Sequence, residues 1–366
     1  MKTRILILSN RIVGLYAFRK EVIKAIAEAG YDVYISVPDK DECSKYFEDL
    51  GCHIIETNFN RRGTNPLADF KLMLEYVKLI RKLRPAKVLT YTIKPNVYGG
   101  IACRLTGAEQ LANVTGLGDA LENGGWLQKL TIFLYKMGLK KAQCVFFQNQ
   151  SNKEFCIQHK MVGKETVLLP GSGVNLNYHV YQQYPSQEDV TFLFIARLIK
   201  DKGTEEFFEM AKSIKAKHPN TRFQILGWND GDYKQQLDEL TETGIVEYLG
   251  VAHDVRPYLK EVHCTIMPSY HEGMSNVNLE SEANGRPVIT TNVPGCRETI
   301  DDGVTGYLVE VRSAVDLTEK VERFILLPHK EKVAMSMASR KKMERDFDRR
   351  IVIDAYMDKI TKEKGC

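Results

Sequence analysis

The sequence predicts an α/β protein made of two strand–helix units, and three observations support that class. Its 366 residues exceed one ordinary core and suit two domains of roughly 100–200 residues each. Short apolar runs alternate with helically spaced stretches through both halves, the pattern of a parallel sheet wrapped by helices. That rhythm breaks between Pro170 and Pro185, where Gly-Ser-Gly-Val-Asn-Leu-Asn-Tyr has no periodicity, and resumes at Val190.

The elements follow in chain order. Arg4 to Ser9 is a short apolar strand, Ala17 to Ala29 has helical spacing closed by Gly30, and Val33 to Val37 is a second strand. Further strands are expected at His53 to Glu56, Val88 to Tyr91 and Cys144 to Phe147. The second half gives Val190 to Ala196, Phe223 to Leu226, Val246 to Leu249, Cys264 to Pro268, Pro287 to Thr290 and Gly306 to Val309. A last helix, about Arg349 to Lys362, has no strand after it and is expected to pack back on the first domain. The predicted domains are 1–172, 173–348 and a C-terminal helical segment 349–366.

Composition narrows the function classes. A hydrophobic fraction of 43% and a charged fraction of 27% are globular values, which sets aside disordered and fibrous chains. No apolar run reaches the roughly 18 residues needed to span a bilayer, and Ile5 to Leu8 is too short for a signal-peptide core, so a cytosolic chain is expected. The eight cysteines are scattered, without Cys-x-x-Cys or zinc-type spacing, and read as reduced and mostly buried, with no metal site. The formal charge of +4 divides into +9 for residues 1–175 and −5 for residues 176–366. A basic half points either to an anionic partner or to ordinary solvated lysines.

In an open parallel sheet, ligands bind beyond the carboxyl ends of the strands. After Cys264 to Pro268 comes Ser-Tyr-His-Glu-Gly-Met-Ser-Asn-Val-Asn-Leu-Glu, with Glu272 and Glu280 bracketing a helix start and Gly273 opening the turn. Backbone amides of Gly273, Met274 and Ser275 could hold a phosphate between the two acids, which would be offset by about 10 Å along a helix. The alternative is that both acids only complement the helix dipole. Arg197 and Lys202, flanking the turn after Phe192 to Ala196, could face a diphosphate or be merely solvated. Tyr248 to Val251 and the loop to Val255, including Leu249, could read a base edge.

Taken together these residues resemble glycosyltransferase family four. The likeness runs through Arg197, Lys202-Gly203, Leu249-Gly250, Pro268 to Gly273, Glu280, Gly285-Arg286-Pro287, Gly295-Cys-Arg-Glu298 and Asp302 to Gly306. The resemblance implies the GT-B fold, two Rossmann-like domains facing across a cleft, and retaining, metal-independent transfer of sugar from a nucleotide donor, with no cofactor. It implies that Glu272 meets the donor sugar, Glu280 the ribose, and Arg197 with Lys202 the diphosphate, with Met274, Ser275 and Asn276 lining the donor site. The family's glycine-rich turn after the first strand is represented only by Gly14, and its histidine after the fourth strand is replaced by Tyr91-Thr-Ile-Lys94-Pro-Asn96.

On the acceptor side, Asn113-Val-Thr115-Gly116-Leu-Gly118-Asp119 resembles the loop of bacterial polysaccharide transferases that act on lipid-linked acceptors. Lys94, Asn96, Thr115, Gly116 and Gly118 are therefore the expected acceptor contacts. In Trp126 to Lys141, Leu127, Leu130, Leu134 and Met137 share one helical stripe and Lys129, Lys136 and Lys140 another, which suits either a core-facing helix or one lying on anionic lipid. Arg61 to Arg84 carries seven Lys or Arg against Asp69 and Glu75. The expectation is a peripheral inner-membrane enzyme of O-antigen or capsule synthesis, using a UDP-linked donor such as a UDP-N-acetylhexosamine and a lipid-diphosphate-linked glycan acceptor. A UDP-sugar epimerase of the same architecture and a non-catalytic nucleotide-sugar-binding regulator are the rivals. A nicotinamide dehydrogenase fits poorly, because no Gly-x-Gly-x-x-Gly follows the first strand. No nucleic-acid module is evident in the basic half.

Overall fold

The computed structural model describes residues 2–57, 59, 65–117, 125–163, 165–186, 189–229 and 231–362. The chain divides into two compact units, Met1–Ser172 with Arg350–Cys366, and Gly173–Arg349. Arg349 thus stays with the second unit, where its backbone N–H donates to Val174 O and its guanidinium to Gly173 O.

In the first unit the order is β1 Arg4–Leu8, α1 Ile12–Glu28, β2 Asp32–Val37, α2 Ser44–Asp49, β3 His53–Glu56, α3 Pro66–Leu83 and β4 Lys87–Tyr91. A π-helical turn Pro95–Gly99 then runs into α4 Gly100–Thr106, followed by β5 Glu109–Val114, α5 Gly125–Leu139, β6 Cys144–Phe147, α6 Gln150–Gln158 and β7 Thr166–Leu168. All pairings are parallel, in the order β3-β2-β1-β4-β5-β6-β7. Alternate residues of β1 face opposite layers, as the two-residue period of a strand requires. Ile5 and Ile7 pack with α1, and Leu6 and Leu8 pack with α3.

The second unit runs β8 Thr191–Ile195, a 3₁₀ turn Lys200–Lys202, α7 Thr204–Lys217, β9 Arg222–Leu226, α8 Lys234–Glu242, β10 Glu247–Tyr248 and α9 Arg256–Glu261. It continues with β11 Cys264–Met267, α10 Asn276–Ala283, β12 Val288–Thr291, β13 Gly306–Val309, α11 Ala314–Leu326 and α12 His329–Asp346. Its parallel sheet has the order β10-β9-β8-β11-β12-β13, the same winding as the first six strands of the other unit. Both sheets reverse direction beside their first strand, which puts ligand-binding loops at the carboxyl ends of β1 and β4, and of β8 and β11.

The helix α13 Arg349–Thr361 closes the first unit's core. Val352, Tyr356 and Ile360 pack with Ile12, Leu15 and Ile26 of α1. The Tyr356 ring stacks on Phe146 at 4.3 Å, and its hydroxyl accepts from Asn113 Nδ2 at 2.6 Å.

Three local expectations are corrected. The first helix begins at Ile12 rather than Ala17, because its buried stripe already includes Ile12 and Leu15. The strands β5 and β7 are not among the expected ones: β5 lacks a clean apolar run, and β7 spans only three residues. Within β5, Gln110 is buried but donates to Thr90 Oγ1 and Asn96 O, while Asn113 holds Tyr356, so hydrogen bonds replace the apolar pattern. In α5 the fully buried side chains are those of Tyr135 and Leu139; of the expected stripe Leu134 and Met137 are half-buried against the same cluster, whereas Leu130 is exposed. The side chain of Leu127 lies outside the described residues.

Of the cysteines, Cys52, Cys103, Cys144, Cys156, Cys264 and Cys296 are buried and free, and Cys43 is half-buried and free. No helix among the described residues is long and apolar enough to cross a membrane.

Candidate active site

At the carboxyl edge of the second sheet, the turn after β8 is pressed against the end of β11. Gly203 makes this possible: it sits at φ +70°, and a β-carbon there would lie 2.1 Å from Pro268 O. The Tyr270 N–H donates to Asp201 O at 2.9 Å across the same seam. The consequence is an ion pair between Lys202 Nζ and Glu272 Oε1, with both side chains largely buried. Ser269 Oγ donates to the same carboxylate oxygen at 3.0 Å.

The backbone beneath Glu272 is held by the loop after β12. Gly295, at φ +85°, packs so closely that a β-carbon would come within 2.4 Å of Glu272 O. Its carbonyl accepts from Ser275 N at 2.7 Å, and its N–H donates to Glu298 Oε2 at 2.7 Å. Ser275 then caps α10, its Oγ accepting from Asn278 N at 3.3 Å. The helix starts at Asn276, so Glu272 precedes it and the two acids are not joined by one continuous helix.

Glu280 lies in the second turn of α10 and is pushed up to about 7 by burial, with Arg349 pulling the other way and Asp254 adding to the rise. Asp254 is itself gripped by Arg256, whose Nη2 reaches Oδ2 at 2.6 Å, and the Arg256 guanidinium stacks 3.6 Å above the Tyr178 ring. The carboxylate at 280 therefore sits within electrostatic reach of the loop that precedes α9. Arg197 is exposed just beyond β8, and no ion pair with another described residue engages it.

Several expected donor contacts are corrected. The Ser275 N–H is already bonded to Gly295 O and is not available to a phosphate. Met274 is buried among Val174, Leu279, Ala283, Met343 and Phe347, so its side chain packs rather than lines a site. Leu249 and Val255 pack on Leu193, Leu226, Leu259 and Val262, and the Leu249 N–H donates to Ile225 O; of that group only Val251 is exposed. The Asn276 amide group donates to Met274 O at 3.5 Å. The backbone N–H groups of Asn276 and Val277, first in the helix, have no described acceptor. Among the described residues no group of three His, Cys, Asp or Glu side chains is spaced to hold a metal ion.

Two family descriptions match the chain, one in each half: Glycosyl transferase 4-like over residues 4–149, and Glycosyl transferases group 1 over residues 181–342. The chain belongs to glycosyltransferase family four. Among curated relatives, it is 28% identical over 372 residues to the N,N'-diacetylbacillosaminyl-diphospho-undecaprenol alpha-1,3-N-acetylgalactosaminyltransferase of Campylobacter jejuni, covering 97% of each chain. It is 26% identical to the capsular polysaccharide biosynthesis glycosyltransferase CapM of Staphylococcus aureus, covering 90% of each. Among solved structures, Anabaena HepE in complex with UDP superposes with a TM-score of 0.81 at 16% identity, covering 99% of this chain and 100% of that one. At that identity the likeness establishes the fold, which is GT-B.

In the first unit of this glycosyltransferase, Gly14 is the third residue of α1, and a β-carbon there would meet nothing within 4 Å. Nothing in the unit's packing requires glycine at 14. After β4 the backbone passes through Thr92 at φ +71°, a costly conformation for a β-branched residue. Lys94 follows, its Nζ 2.7 Å from Asp69 Oδ1, while Tyr98 OH donates to Asp69 Oδ2 at 2.8 Å. Asn96 is fully buried, its Oδ1 accepting from Thr90 and its Nδ2 donating to Asn113 O, so it braces the strand ends and cannot touch an acceptor directly. Thr115 and Gly116 are half-buried at the end of β5, and Gly118 lies outside the described residues.

Sequence reasoning missed Asp69, Ser269, Asp254 and Arg349. Asp69 acts through Lys94, 25 residues away, and Asp254 and Arg349 act on Glu280 from other elements, so none of the three carries a local motif; Ser269 lies within the Pro268 to Gly273 run, and only its bond to the Glu272 carboxylate reveals its part.

Proposed function

We propose that this glycosyltransferase moves a hexosyl or N-acetylhexosaminyl group, with retention and without a metal, from a UDP-sugar to a lipid-diphosphate-linked glycan during O-antigen or capsule assembly at the inner face of the cell membrane. The observation that carries the acceptor class is the full-length likeness to a transferase whose name specifies a diphospho-undecaprenol acceptor. The UDP-bound HepE structure supports the choice of base.

The chemistry follows from the second unit. As the donor's anomeric bond breaks, negative charge grows on the departing diphosphate and positive charge on the sugar ring. Lys202, Arg197 and the Asn276 and Val277 amides are fixed positive groups that stabilise the first, and the Glu272 carboxylate stabilises the second. Because Lys202 and Glu272 are already paired, little reorganisation is needed when the donor arrives. Glu280 accepts the ribose hydroxyls, and Val251 and its loop contact the base. No second carboxylate is assigned as a nucleophile, so a front-side attack is proposed, in which the leaving phosphate takes the acceptor proton. In the first unit, Lys94, Thr115 and Gly116, with Gly118, receive the acceptor.

The test is a panel of nucleotide sugars incubated with extracted lipid-linked glycans and followed by mass spectrometry, with the anomeric configuration of the product read by NMR. Transfer from a UDP-sugar with retention, unchanged by a chelator, supports the proposal. Transfer only from another nucleotide, inversion, or donor isomerisation without an acceptor overturns it.

A further inference from the structure

Two helices of the first unit carry exposed apolar stripes that no described element covers. On α3, Leu67 is 80% exposed, Phe70 56% and Leu74 48%, at i, i+3 and i+7; on α5, Trp126 is 74% exposed, Leu130 42% and Phe133 56%, at i, i+4 and i+7. Single exposed apolar residues are ordinary, whereas two aligned stripes form a surface. Each helix also has a separate buried face: Leu72, Tyr76 and Ile80 on α3, and Tyr135 and Leu139 on α5.

The topology brings these stripes to one edge. Both helices pack on the Pro95–Thr106 segment, so they share one face of the sheet. Each leaves a parallel strand and returns to the amino end of another, so their first turns lie at the sheet's carboxyl edge. Lys94 after β4 and Thr115 after β5 emerge at this same edge.

Charge identifies the occupant. Beyond the apolar turns, the exposed face of α3 continues as Lys78, Arg81 and Lys82, and α5 is followed by Lys140 and Lys141. Lys71 and Lys129 sit exposed among the apolar residues, where their stems can snorkel. The only acids on α3 are Asp69, tied to Lys94, and the half-buried Glu75; α5 has none. An apolar tip backed by cations matches a bilayer whose apolar interior lies beneath anionic headgroups.

We propose that the first two turns of α3 and α5 form one bilayer-inserting rim, which seats the first unit on anionic lipid and brings the carboxyl edge of its sheet to headgroup level. The inference rests on the lipid-linked acceptor reading, since it explains how the sugar of a membrane-anchored substrate reaches Lys94 and Thr115.

The test uses the full chain and vesicles of phosphatidylglycerol with phosphatidylethanolamine, without acceptor. The wild type is expected to co-sediment with these vesicles and far less with phosphatidylcholine alone. Phe70→Ser with Phe133→Ser should weaken binding by about tenfold or more with an unchanged melting temperature, since two apolar side chains are withdrawn from the bilayer. The chain has two tryptophans, so in a Trp228→Phe variant the Trp126 emission should shift to the blue on vesicles. The Phe70/Phe133 variant should keep transfer to a detergent-free, short-chain acceptor and lose it on vesicle-embedded acceptor, which separates failure of the rim from failure of the transferase reading. Vesicle binding with unshifted Trp126 emission, or unaffected by the paired substitution, overturns the proposal. So does a dimer in light scattering that the same substitutions dissolve, because the face would then be an interface between copies.

Discussion

Lys202 and Glu272, 70 positions apart in the chain, form an ion pair at the carboxyl edge of one sheet because β8 and β11 are neighbouring strands. The pair joins a cation suited to a leaving diphosphate and an anion suited to a cationic sugar ring. Glu272→Gln keeps the shape and the Ser269 hydrogen bond but removes the charge. Turnover should fall by about 10²–10³-fold with little change in donor affinity. Lys202→Met should cost as much, and the double variant little more, because each acts partly through the other. Steady-state kinetics on the four proteins measures this coupling.

Gly295 is a second, purely steric determinant of the same site. Gly295→Ala places a methyl group 2.4 Å from Glu272 O and forces a side chain into φ +85°. A loss of about 2 kcal/mol is expected from the backbone strain alone, together with a drop in turnover as Glu272 shifts. Gly14→Ala, within α1 and with nothing within 4 Å, should raise stability, by up to about 1 kcal/mol. Thermal melts and assays of the two variants should contrast sharply.

The raised Glu280 gives a pH signature. Its carboxyl titrates near 7 in the folded protein against an ordinary 4.5, so the folded state holds a proton that the unfolded chain releases. Below 4.5 both states are protonated and Glu280 costs nothing; as pH rises from 4.5 to 7 stability falls; above 7 both states are ionised and the loss is complete. Glu280→Gln should therefore be more stable than wild type at pH 8 and indistinguishable at pH 4. Urea unfolding at both pH values, with the same difference at each, would refute this.

Arg286 tests the opposite kind of residue, one shared with the family yet structural. It is fully buried, and its guanidinium donates to the carbonyls of Leu259, Gln182, Asn284, Gly285, Gln183 and Lys260 at 2.6–3.2 Å. Arg286→Met strands several of these acceptors, and a loss of about 3–5 kcal/mol is expected. Donor affinity measured on the fraction that remains folded should not change.

Asp69 anchors Lys94 from α3. Asp69→Asn leaves a largely buried ammonium without its carboxylate and should cost about 3 kcal/mol. If Lys94 receives the acceptor, the same variant should raise the KM for acceptor and spare that for donor.

The strands that were legible in the sequence are those whose residues are apolar nearly throughout, such as Phe192 to Ile195 and Cys264 to Met267. Those that were not, above all β5, bury Gln110 and Asn113 by hydrogen-bonding them to groups that arrive from other elements. The site shows the same division. Glu272, Lys202 and Glu280 stood out because they occur in spaced motifs, whereas Met274 beside Glu272 and Asn96 beside Lys94 shared such neighbourhoods and proved to be packing residues.

By itself, then, the sequence determined the alternation of strands and helices, the two-unit division and the family to which the chain belongs, since these depend on local periodicity and short motifs. Only the tertiary structure decided that Lys202 meets Glu272, that Asp69 holds Lys94, and that α3 and α5 leave apolar faces uncovered. Periodicity reports that a face is apolar, but strand order and helix placement determine what, if anything, covers it.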